Sequence, residues 1–208
     1  MARRSDHTRD ELKTLSLEAA RRILDTKGYE AISVRSIAQE IGYSAGTLYN
    51  LFDGIDDLII HMNAELLDDL YTALSGETIT GDTEHDIHRM LDAYFRFIGD
   101  RKAEWEAITD HALPNGKPVP DWYKTKLDRL MDLLAAVIRP AIDGPDAAHI
   151  SQQSAPILWA SLQGIIALET SGKLKLLTPD SAKTLGGVLI SNYLNGLKLT
   201  AHQKSATE

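Results

Sequence analysis

The sequence contains no cysteine, which excludes disulfides, thiolate metal sites and cysteine nucleophiles and fits a reducing cytoplasm. It also lacks a Gly-rich phosphate loop, a Gly-x-Ser-x-Gly elbow and a His-Glu-x-x-His helix. Enzymes built on those devices drop out, and the chain is expected to be a non-enzyme that needs no cofactor. Long apolar runs are missing too: the longest, Leu133 to Ile138, is far short of the roughly 18 residues that suggest a membrane span. Residues Met1 to Lys27 alternate charge with apolar positions and have no secretory pattern, so a cytoplasmic protein without a membrane partner is expected. Period-2 alternation of strand length is hard to find. Aromatic residues make up only 6% of the chain.

An excess of positive charge is likewise absent, since the net charge is −8. Its distribution is uneven. Residues 1–55 balance their basic and acidic side chains, eight of each, so the whole deficit lies beyond them. A polyanionic partner should therefore meet the first quarter of the chain.

What is present is helical spacing of apolar residues nearly throughout, and the fold class expected is all-α. Leu12, Leu15, Ala19 and Ile23 stripe a first helix over about Thr8–Thr26, stopped by Gly28. Ser33 is a candidate N-cap for a short helix with Val34, Ile37, Ala38 and Ile41 inward, and Gly42 ends it. Ser44 caps another over about Ala45–Phe52, which Asp53 and Gly54 break; a longer helix then runs to about Leu74. Later helices are expected near Glu84–Asp100, Ala103–Leu113, Asp121–Ile142, Ala147–Ser171 and Pro179–Thr200, the last with Thr178 as its cap. The three prolines of Pro114–Pro120 cannot sit inside a helix. The expected domains are 1–55 and 75–208, connected by a helix over about 55–74.

Two short helices joined by Gly42-Tyr43-Ser44 form a helix-turn-helix layout, in which the second helix enters a DNA major groove. At 100° per residue, Leu48 and Phe52 lie on its inner edge with Ala45 and Leu51, and Gly46, Thr47, Tyr49 and Asn50 lie opposite. That opposite face suits DNA: glycine permits close approach, hydroxyls bind phosphate, and an amide pairs with a base edge. The helix starts at Ser33 and Ser44 add backbone donors for phosphate.

Read together, Gly28-Tyr29, Ser33-Val34-Arg35-Ser36-Ile37-Ala38-Gln39-Glu40-Ile41-Gly42, Ser44-Ala45-Gly46-Thr47-Leu48-Tyr49 and Phe52 closely resemble the N-terminal domain of the TetR family of bacterial transcriptional regulators. The resemblance covers about residues 8–60. It implies a homodimeric regulator, usually a repressor, that binds a palindromic operator and is released by a small molecule held in the C-terminal domain. It also implies that Thr47 and Tyr49 bind phosphates, that Ser44, Ala45, Gly46 and Asn50 face the groove, and that Arg35 sits near the backbone. Where the family usually has His before the phenylalanine and Lys three residues after it, this chain has Leu51 and Ile55. Arg3, Arg4 and Arg9 are the candidate compensating cations. These departures leave open an alternative: a helical small-molecule-binding or interaction protein that has lost strong DNA binding.

In the later helices the aromatics gather, and Trp105, His111, Trp122, Tyr123, Trp159 and Gln163 are the candidate effector-binding residues, because large rings with one polar atom shape and orient a site. The acidic surroundings disfavour an anion, so a neutral, cationic or mostly apolar effector is expected. The segment Trp159-Ala160-Ser161-Leu162-Gln163-Gly164 resembles a stretch common in one large subgroup of TetR C-terminal domains. For dimerisation the candidates are Ile157, Leu158, Ile165 and Ile166 on one helix and Leu185, Val188, Leu189, Asn192 and Leu197 on the last, with Gly164, Gly186 and Gly187 allowing close approach. His85 and His88, beside Asp82, Glu84 and Asp86, have a spacing that metal ligands can use. They read better as a solvated helix start, and no metal is expected.

Overall fold

The computed structural model describes residues 7–111 and 118–205, and within these it is all-α, with no strand. The helices are α1 Arg9–Lys27, α2 Val34–Glu40, α3 Ala45–Tyr49, α4 Ile55–Ser75, α5 Thr83–Asp100, α6 Lys102–Asp110, α7 Asp121–Ile138, α8 Ala147–Thr170 and α9 Ala182–Ser205.

Local chemistry sets the early boundaries. At the start of α1, Thr8 Oγ1 accepts from the Glu11 N–H and the Glu11 carboxylate accepts from the Thr8 N–H, a reciprocal cap. The helix ends at Gly28, whose φ of 82° few other residues adopt. Ser33 and Ser36 cap α2 in the same way as Thr8 and Glu11 cap α1. At its other end the Tyr43 N–H reaches the Ala38 carbonyl and the Gly42 N–H the Gln39 carbonyl, with Gly42 left-handed. This paired arrangement satisfies the last carbonyls of α2 and turns the chain sharply into α3.

Several expected boundaries shift. The α3 helix is shorter than expected because the Leu51 and Phe52 N–H groups both return to the Leu48 carbonyl, closing a tight turn. At α7 the regular helix stops at Ile138, and a 3-10 turn over Arg139–Ala141 takes in Pro140. The cap of α9 is Ser181 rather than Thr178: Ser181 Oγ accepts from the Thr184 N–H, while Thr178 bonds Asp180. Pro156 lies inside α8, where it leaves the Gln152 carbonyl without its usual helical donor.

The chain forms two compact units, one running to Asp68 and taking in Arg101–Tyr123, the other holding Asp69–Asp100 and Lys124 onward. The expected division differs in assigning everything after residue 75, with 101–123, to a second domain. Segment 101–123 joins the first unit because Ala107 is buried in the same cluster as Leu17, Ile23, Ile37, Leu48, Leu58 and Met62. Arg21 of α1 also ties α6 and α4 by ion pairs, 3.0 Å to Glu104 and 2.7 Å to Glu65. In the second unit Leu70, Met90, Leu130, Ile138, Leu158 and Leu194 are among the buried residues. There α9 crosses α8 and α5 closely at Gly186, where an added Cβ would stand 2.9 Å from Leu162 Cδ2.

Candidate DNA-binding face and effector hollow

The helix-turn-helix face is built from α2, α3 and the turn between them. On α3, Leu48 is 1% exposed, and Leu51 and Phe52 beyond it are also buried. Gly46, Tyr49 and Asn50 are exposed, and Ala45 and Thr47 half-buried. Tyr49, at 62% exposure, is a large ring that the core does not hold. Ser44 Oγ accepts from the Thr47 N–H and shares a hydrogen bond with Thr47 Oγ1 at 3.0 Å, which fixes both hydroxyls at the start of the helix. Ser33 and Arg35 are exposed at the start of α2, and Arg35 makes no ion pair among the described residues. His7 Nδ1 lies 2.7 Å from the Tyr43 hydroxyl, so the start of α1 is held at the turn. Arg3 and Arg4 lie outside the described residues.

Leu51 and Ile55, the two departures from the family pattern, have a structural use. Leu51 belongs to the buried cluster and Ile55 packs against it. Both are tied into the core of the first unit, and neither supplies charge to its surface.

The six expected effector residues are not brought together. Trp105, His111, Trp122 and Tyr123 fall in the first unit and only Trp159 and Gln163 in the second. Trp105 is 2% exposed. His111 Nδ1 pairs with the Tyr29 hydroxyl at 2.7 Å, and its Nε2 stands 3.7 Å from an Asp56 oxygen. Trp122 stacks on His61, with ring centroids 4.6 Å apart, and Tyr123 lies edge-on to Trp122. Burial raises the Tyr123 phenol above its ordinary range. A cluster assembled from aromatic composition alone overlooked that α6 packs with α1.

The hollow in the second unit is instead mostly aliphatic. It is lined by Leu74, Ile87, Met90, Leu91, Tyr94, Leu134, Ile138, Leu158, Trp159, Leu162 and Ile190. Its open space, counting the mouth, is about 450 Å³. Tyr94 is 3% exposed, donates to Gln163 Oε1 at 2.8 Å and lies against the Trp159 ring at 5.4 Å. Burial pushes the Tyr94 phenol far above its ordinary range, so it stays neutral. The sequence carried a signal for these positions: Ile87, Met90, Leu91 and Tyr94 share one face of α5. Which helices close around that face was not written in it.

Of the expected dimerisation residues, Ile157, Val188 and Asn192 are exposed and Ile165, Leu185, Leu189 and Leu197 half-buried. Leu158 and Ile166 are corrections, each buried at 3% exposure inside the second unit. Gly164 faces open space, whereas Gly186 is a close approach within the chain itself. The residues around the histidines of α5 serve its start and its packing on α9. Asp82 accepts from the Glu84 and His85 N–H groups, Asp86 accepts from Thr80 and Gly81, and His88 Nε2 meets Ser191 Oγ at 3.1 Å. Among the described residues no helix is long and apolar enough to cross a membrane.

The family model for bacterial regulatory proteins of the tetR family matches residues 17–62, and that for the tetracyclin repressor-like C-terminal domain matches residues 87–189. The chain belongs to the TetR family. It is therefore a DNA-binding transcriptional regulator of the helix-turn-helix class, a regulatory family and not a family of enzymes. An uncharacterized HTH-type transcriptional regulator of Mycobacterium tuberculosis is 22% identical over 168 residues, 81% of this chain and 74% of that protein. A protein of unknown function from Rhodococcus sp. RHA1 shares the fold with a TM-score of 0.68 at 20% identity, covering 95% of this chain and all of that one. A transcriptional regulator from the same organism gives 0.64 at 23% identity, covering 89% and 97%.

Proposed function

We propose that this TetR-family regulator is a cytoplasmic homodimeric repressor that binds a near-palindromic operator through α3 and leaves it when a small molecule enters the second unit. The observation that carries the reading is Tyr49, exposed on a five-residue helix whose other face is in the core. With Thr47 it would bind phosphates; Ser44, Ala45, Gly46 and Asn50 would face base edges, and Ser33 and Arg35 would meet the backbone. Ile157 and Ile165 of α8 with Leu185, Val188, Leu189 and Asn192 of α9 would form the dimer contact, giving a four-helix bundle from two subunits.

Helix α4 supports coupling between effector and operator. Its Leu58 and Met62 belong to the core beneath α3, and its Leu74 lines the hollow. A molecule that displaces Leu74 acts on the same helix that carries Leu58 and Met62. The effector is expected to be neutral, cationic or apolar before it is anionic, because no lining residue offers a positive charge.

The test is to capture fragments of the source genome on the purified protein at moderate salt and sequence what remains. Enrichment of one short near-palindrome with half-sites about one turn, roughly 10 bp, apart supports the reading. A folded, dimeric protein that enriches nothing overturns it and favours the interaction-protein alternative.

A further inference from the structure

We propose that the first unit carries a small-molecule site of its own, a recess beside the DNA-reading helices that takes an organic ammonium ion with a small apolar body. Its walls are residues that frame those helices in the chain. Tyr29, Glu30 and Ile32 lie just ahead of α2, Ile55, Asp56 and Ile59 open α4 just after α3, and His111 follows α6. All belong to the first unit, and none lines the hollow of the second. The open space of the recess, counting its mouth, is about 650 Å³, within the range that small-molecule sites occupy.

Polar groups make up much of this lining. Glu30 is exposed and makes no ion pair among the described residues. Asp56 has the His111 imidazole as its ionic neighbour, with Oδ1 3.7 Å from Nε2. The imidazole itself is incompletely partnered: its side chain is 6% exposed, its Nδ1 is taken by the Tyr29 hydroxyl at 2.7 Å, and its buried Nε2 has no hydrogen-bond partner. At 3.7 Å the carboxylate is out of hydrogen-bond range, so the wall holds an unmatched polar atom of a kind that folded proteins seldom leave without a use. Asp56, 48% exposed, is the member of the pair that an incoming molecule meets. A bound ammonium supplies what this wall lacks, a positive charge for the carboxylates of Glu30 and Asp56 and several N–H donors. Its carbon body would lie on Ile32, Ile55 and Ile59, the apolar part of the same lining. An anion would meet like charges there, and a bare metal ion is disfavoured because no three His, Asp or Glu side chains converge as ligands among the described residues.

Probes of one shape and different charge test this on the full-length protein: 2-phenylethylammonium, 2-phenylethanol and 3-phenylpropanoate at neutral pH, each titrated while the backbone amide resonances are followed by NMR. We expect the ammonium to shift the amides of Glu30, Ile32, Asp56 and Ile59 with an affinity about tenfold above that of the alcohol, the worth of one charge-assisted hydrogen bond, and the carboxylate to bind more weakly still. Glu30→Gln combined with Asp56→Asn should weaken the ammonium about tenfold and leave the alcohol unchanged, with little change in melting temperature. Glu30→Gln alone, at an exposed position, serves should the change at Asp56 disturb the start of α4. Equal or tighter binding of the alcohol or the carboxylate overturns the proposal, as do ammonium binding indifferent to these variants and the absence of shifts at these amides. Shifts confined to Met90, Leu91 and Ile190 overturn it as well, and leave the effector reading of the second unit's hollow standing.

Discussion

The two units of this chain use short-range and long-range order in opposite ways. In the first, the functional face is defined within about twenty residues by caps and one left-handed turn: Ser33, Gly42 and Ser44 hold α2 and α3, and Tyr49 is left outside. In the second, the hollow draws lining residues from α4, α5, α7, α8 and α9, separated by more than a hundred positions. A surface reader can be assembled from local signals, whereas an enclosed site exists only after tertiary packing. The units also treat polarity differently. The face of the first carries the hydroxyls of Ser33, Ser44, Thr47 and Tyr49 and the charge of Arg35, and the hollow of the second is lined almost wholly by apolar side chains.

The comparison can be broken most forcefully at Leu48. Leu48→Ala removes a fully buried side chain under α3 and is expected to destabilise the first unit by about 2–5 kcal/mol, read by chemical denaturation, and to abolish DNA binding. Binding of an apolar dye such as Nile red in the second unit should survive under conditions where that unit stays folded. Loss of both together would show that the contrast between the units is overdrawn.

Arg21→Ala should come next, at about 2–3 kcal/mol, because it leaves Glu104, 7% exposed, without one of its arginine partners. Arg101, 2.8 Å from the same carboxylate, limits the loss. Thermal melting measures it, and a null effect would remove α6 from the first unit's support. A smaller change is expected from Arg35→Ala: a salt dependence of DNA binding flattened by about 0.9 in slope, with stability unchanged.

The smallest effect is one of pH, and the two units share it. Burial works to raise the Asp86 carboxyl, but hydrogen bonds from Thr80 and Gly81 outweigh it and hold the group below its ordinary range. A carboxylate depressed in the folded state stabilises at pH values above its unfolded range and loses that contribution as pH falls through the folded value. The protection of the Thr80 and Gly81 amides, measured against their intrinsic exchange rates, should therefore fall on acidification, and Asp86→Asn should blunt the response. Glu11, lowered by its bonds from Thr8, gives the first unit a matching change at the start of α1.

How far the sequence could be read follows the same division. Ser33, Gly42, Ser44, Leu48 and Phe52 were legible because capping, positive φ and helical phase are properties of a few neighbouring residues. Which aromatics share a unit was not, since Trp105 and Trp159 look alike in sequence and fall in different units. Tyr94 had its signal in the phase of α5 but nothing to mark its bond to Gln163, 69 positions away. Leu51 was legible in two ways, as an inner-edge residue by helical phase and as a missing cation by resemblance, and the structure buries it in the core.

The most direct test of the central claim, that the exposed face of α3 reads DNA, is the affinity of a captured genomic fragment for the Thr47→Ala, Tyr49→Ala double variant, measured by fluorescence anisotropy. Neither change touches the buried cluster, so the melting temperature should be nearly unchanged. The account predicts a loss of affinity of about a hundredfold, two phosphate contacts at about 1.4 kcal/mol each. Binding equal to that of the unaltered protein would contradict it.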